Sequence, residues 1–149
     1  MNYTTSSFVT IFLLLFEAFS LSAAVPPASS TDAKEMAKFK ARVMSADYRA
    51  DFKELAAVRD ELAKWPDTRD LAYLARYWSG FASWRIALNG ANHDMKQPEL
   101  LANLKSAAAD FFDSMRLKDD FADAYVAASM VNAWLINLDN DMKERLAVS

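Results

Sequence analysis

Residues 106–135 read SAAADFFDSMRLKDDFADAYVAASMVNAWL. On either side of the acidic turn at Asp119-Asp120, apolar residues recur three and four positions apart, which predicts two helices joined tightly into a hairpin. Neither helix can hide its apolar stripe alone, so the pair must stack on neighbouring elements.

Working outward, the first arm of that hairpin begins near Pro98, which suits the first turn of a helix because its missing N–H costs nothing there. Leu100, Leu101, Leu104, Ala107, Ala108, Phe111, Phe112 and Met115 give the arm one apolar stripe down to Leu117. The second arm covers Phe121 to Ile136; Asn137 to Asn140 break the pattern, and Asp141 opens a stub, MKERLAVS. Upstream, Asn89 to Gln97 is a loop opened by Asn-Gly. Before it, Arg69 to Leu88 is the most apolar segment and has two apolar faces. One carries Leu71, Leu74, Trp78, Phe81 and Ala82, the other Tyr73, Tyr77, Gly80, Trp84 and Leu88. Two such faces describe an inner helix packed on both sides, with Arg76, Ser79 and Ser83 as its polar edge. Two more helices come first. One spans Ala33 to Ala46 behind an Asp32/Glu35 capping box and buries Met36, Phe39, Val43 and Met44. The other spans Tyr48 to Lys64, turns Tyr48, Phe52, Leu55, Val58 and Leu62 inward, and stops at Trp65-Pro66-Asp67.

The 149 residues suit one domain with a real core. The expectation is therefore an all-α fold of antiparallel hairpins. Only two glycines, Gly80 and Gly90, occur, which excludes glycine-rich phosphate loops and argues against a turn-rich β protein. A net charge of −3 without a concentrated basic face argues against nucleic acid as a partner. Cysteine is absent, which removes disulfides, thiolate metal sites and a cysteine nucleophile.

Residues 1–24 read as an export signal: FVTIFLLLF from Phe8 to Phe16, then Ser22 and Ala24 as small residues before Val25. The alternative is an uncleaved anchor over residues 8–25. That span is barely long enough for a bilayer, and Glu17 inside it costs about 2–3 kcal/mol. Residues 25–31 form a linker around Pro26-Pro27, and 32–149 form the helical domain. The expected location is the periplasm or the medium.

Ala107 to Trp134 resembles the tetratricopeptide repeat, a helix-turn-helix unit of binding solenoids. Ala107, Phe111 and Ser114 stand at the family's small, aromatic and small positions, and Phe121 to Tyr125 resembles the start of the next first helix. Leu55, Val58, Leu62 and Pro66, followed by Leu71-Ala72-Tyr73, form a fainter copy. Asp119 replaces the usual proline, Ser129 the usual packing glycine, and Glu54 and Glu61 stand where the family has alanine. The order of elements is also similar to bacterial exported proteins of this repeat type. The resemblance implies a short right-handed solenoid that holds a protein or peptide partner on its inner helices. Because the last element reads as a stub, the resemblance leads to the expectation of a truncated chain or of an end closed by homo-oligomerisation.

No residue set promises catalysis or metal and cofactor binding. His93 is the single histidine; it lies in a loop beside Asp94 without a nucleophile elbow. The acidic residues suit solvated faces and helix starts, and Asp139-Asn140-Asp141 lacks the central glycine of a calcium loop. Tyr73, Tyr77, Trp84, Phe111 and Tyr125 are expected in the core. Trp78, Phe81, Arg85, Met130 and Trp134 are the candidate partner-binding residues, since aromatic, Met and Arg side chains suit binding surfaces; core burial is the competing role for the apolar ones. Two other functions remain open: a small-ligand binder or enzymatic accessory using an aromatic pocket between helices, and a structural subunit that self-associates.

Overall fold

The computed structural model describes residues 29–138, and every regular element among them is a helix. They are α1 (Ser30–Tyr48), α2 (Phe52–Leu62), α3 (Ala72–Ala91), α4 (Gln97–Leu117) and α5 (Ala122–Leu138). The expected export signal, the alternative anchor and the stub at 141–149 lie outside the described residues. None of the described helices is long and apolar enough to cross a membrane.

Local chemistry moves several helix ends from their expected places. α1 starts early because the Ser29 hydroxyl, not Asp32, accepts from the first turn, at 3.1 Å from the Asp32 amide. Asp32 and Glu35 are thereby free to hold Arg69, each at 2.6 Å. α2 starts late, capped by the Asp51 carboxylate at 3.0 Å from the Glu54 amide. The chain reaches that cap through Ala50 at φ 50, and the turn swings Tyr48 outward, leaving it 93% exposed rather than inward. α3 begins only after Leu71, which takes φ 63, a left-handed conformation costing roughly 1–2 kcal/mol in a residue with a Cβ. The bend before it is held by the Trp65 indole N–H on the Asp70 carbonyl, 3.1 Å, and by the Arg69 guanidinium 3.7 Å above the Trp65 ring.

Paired contacts fix the helix directions. Asp32 meets Arg69 and Asp47 meets Arg85, 37 and 38 residues apart, so α1 and α3 run parallel. Ser79 donates to Asp110 at 2.7 Å while Ser114 donates to the Tyr73 carbonyl at 2.8 Å, so α3 and α4 run antiparallel. Gln97 at the start of α4 donates to the carbonyl of Leu138 at the end of α5, which makes those two antiparallel as well. Tyr73 and Tyr77 pack on Phe121, and Ala87 and Leu88 lie near Trp134, so α5 runs parallel to α3. α3 touches all four other described helices, as its two apolar faces require.

Two clusters of buried side chains follow. Met36, Val43, Leu55, Val58, Leu62 and Trp65 form one beneath α1–α3; Trp84, Leu104, Phe111, Val131 and Leu135 form the other among α3–α5. The α3–α4 contact is close. A Cβ on Gly80 would lie 3.1 Å from the Ala107 carbonyl oxygen, from Asp110 Cβ and from the Phe111 ring. Ser79 and Ser83, expected on a polar edge, are buried at this contact instead; small side chains let helices approach, and Ser79 finds Asp110 as its acceptor. Met44, Phe112 and Tyr125, expected inside, are about half exposed, because each lies on the face of its helix turned away from the helices it packs against.

Candidate binding groove

The side of α3 that lies between its parallel neighbours is neither buried nor open. Leu74, Tyr77, Trp78, Phe81 and Leu88 are all half-buried there. Near the start of α3 this floor deepens into a pocket of about 320 Å³, walled by Ala33, Met36, Ala37 and Lys40 of α1 and by Phe121 and Asp123 at the start of α5. That volume falls in the range of small-ligand and side-chain pockets. The sequence makes the space: Ala33 and Ala37 fall one helical turn apart on α1, so two of the four side chains in that wall are single methyl groups, beside Met36 and Lys40.

The two walls carry opposite charges. Lys40 places its ammonium 5.5 Å from the centre of the Trp78 ring, within reach of the ring's negative face. Asp123 lies in the first turn of α5, where the helix dipole favours a carboxylate. Burial, and then the charge of Asp123, push the Tyr77 hydroxyl above its ordinary value, so it stays protonated and able to donate at neutral pH. Among the described residues neither Lys40 nor Asp123 forms an ion pair, whereas Arg42, Arg49, Arg59, Arg69, Arg76, Arg85 and Arg116 are all paired.

Of the five candidate partner-binding residues, Trp78 enters this pocket. Phe81 follows one turn along α3, its ring 5.4 Å from Trp78 and 5.7 Å from Trp84, and it packs against both core clusters. Arg85 goes elsewhere. Its Nε donates to Asp47 at 2.6 Å, and Asn89 donates to the same carboxylate oxygen at 3.0 Å, which ties α3 to the end of α1. Met130 and Trp134 stand one turn apart on α5, 49% and 40% exposed, with Trp134 against Ala87, Leu88 and Leu138 near the far end of α3. The sequence reading missed Lys40, Tyr77 and Asp123 as groove residues. Ala33, Ala37 and Lys40 do share one face of α1, but which helix that face would meet was not visible.

His93 is exposed, with its ring edge-on to Phe52 at 5.6 Å. Its Nδ1 lies 2.7 Å from the Asn89 carbonyl; a carbonyl only accepts, so Nδ1 carries the proton. Asn89, not the neighbouring Asp94, fixes the imidazole. Among the described residues no three His, Cys, Asp or Glu side chains converge as metal ligands. No family model, curated protein or solved structure matches the chain.

Proposed function

We propose that the protein is a non-catalytic binding module, exported by residues 1–24, that holds a peptide or protein segment in the groove between α1 and α5. The observation that carries this reading is the pocket at the start of α3: an apolar floor between two walls whose opposite charges, Lys40 and Asp123, have no ion-pair partner among the described residues. Parallel α1, α3 and α5, with α2 and α4 supplying the return strokes, suit the tetratricopeptide-like arrangement that the sequence resembles. An aromatic floor of restricted side chains gives contact area at low entropic cost. Selection from a displayed peptide library should enrich a motif with an apolar anchor that the Trp78→Ala protein no longer retains. Failure to enrich any motif, or equal retention by the variant, would remove the proposal.

A second reading has its own observation. From Ala124 to Leu138, α5 carries no charged residue, yet Tyr125, Val126, Met130, Trp134 and Ile136 are 39–61% exposed. A surface without charge can meet itself across a two-fold axis without like-charge repulsion, so the occupant proposed for it is a second copy of the chain. Sedimentation should then show concentration-dependent dimers that Val126→Glu abolishes; a monomer at high micromolar concentration excludes this reading.

A further inference from the structure

We infer that the groove selects segments in which one apolar side chain is flanked by one acidic and one basic residue. This rests on the peptide-binding reading and adds the chemistry of the ligand to it. Lys40 and Asp123 stand on opposite walls of one pocket whose floor is Leu74, Tyr77 and Trp78. Neither charge has an ion-pair partner among the described residues: Lys40 leans on the Trp78 ring, and Asp123 acts on Tyr77 through its charge. A segment with its anchor between the walls brings one flanking residue to each charge. Two acidic flanks would set a carboxylate against Asp123, and two basic flanks would set an ammonium against Lys40. A like-charged flank set against either wall charge is repelled, and that repulsion supplies the discrimination. The rule does not depend on chain direction, because reversing the segment exchanges its flanks and a mixed pair stays mixed.

The test uses the full-length protein and three fluorescein-labelled peptides that share a central Phe anchor and carry Glu/Lys, Glu/Glu or Lys/Lys flanks. Anisotropy at low salt should rank the mixed peptide first, by roughly 3- to 10-fold over either like-charged one, with the gap closing as salt rises. Lys40→Glu makes both walls acidic and should move the preference to Lys/Lys. Asp123→Lys makes both basic and should move it to Glu/Glu. Lys40→Gln combined with Asp123→Asn should remove the preference while leaving anchor-dependent binding. Both positions are exposed, and circular dichroism of each variant checks that the fold is kept. Binding that needs Trp78 but ranks the three peptides alike in every variant overturns this inference and leaves the groove as a binding site. Absence of binding by all three peptides overturns both.

Discussion

Asp110 is the most informative single side chain in the helix contacts. It is pressed against Gly80, and its carboxylate accepts from the buried Ser79 hydroxyl. Burial raises this carboxyl above its ordinary value, against the opposing pull of Ser79 and Arg76. The folded protein therefore holds that proton more tightly than the unfolded chain does. The fold gains stability as pH falls through the raised value and lacks that gain at neutral pH. Glu61 and Asp67 act in the opposite sense, being lowered by hydrogen bonds to Arg42 and to Arg76 and Arg116; their contribution is lost only on further acidification. Asp110→Asn should consequently melt higher than the parent near neutral pH, and that advantage should shrink toward pH 4; an advantage independent of pH would contradict the burial argument. At the adjoining position, Gly80→Val forces bulk into a space bounded by backbone oxygen and ring. Overpacking of this kind costs about 1–3 kcal/mol, measurable as a shifted denaturant midpoint.

At the scale of elements, ties rather than propensity fix how α1 meets α3. Arg69 holds the first turn of α1, and Arg85 holds its last. Arg85→Ala leaves the partly buried Asp47 with only Asn89, and a hydrogen bond to a charged group is worth about 1.5–3 kcal/mol. That loss should appear in stability while peptide affinity stays within two-fold; a large affinity loss at unchanged stability would instead place Arg85 in the binding surface. These ties also show what the sequence could and could not say. Five helices and their order were legible, because apolar spacing and the Pro66 and Pro98 signals are local; the Asn89-Gly90 pair misplaced the loop, since α3 runs through it to Ala91. Tyr48 was misread because an apolar residue at helical spacing looks inward until the cap at Asp51 and the turn at Ala50 redirect the chain. Ser79 and Ser83 were misread because a small polar side chain looks solvated until a glycine beside it brings another helix close. In the groove, Trp78 was legible as an aromatic on an inner helix. Lys40 and Asp123 were not, since they share a pocket only through a three-helix arrangement that no local pattern encodes.

Across the whole molecule, the question is whether two core clusters make two units or one. Leu55 lies at the centre of the first and Phe111 at the centre of the second, both fully buried. Truncating either to Ala removes buried area and leaves a cavity, at about 2–5 kcal/mol for Leu55 and about 3–5 for Phe111. Because they belong to separate clusters, their costs should add to within about 0.5 kcal/mol in a double mutant. Yet Phe81 packs against both clusters, and α3 runs the length of the contact, so neither half keeps its packing once the other is lost. Denaturation followed by far-ultraviolet circular dichroism and by tryptophan fluorescence should therefore give one coincident transition for the parent and for each single mutant. Two separated transitions in Phe111→Ala, with the α1–α3 part surviving, would show that α3 divides the fold rather than joining it. The groove would then be a seam between two bodies, and its pocket would open and close with them.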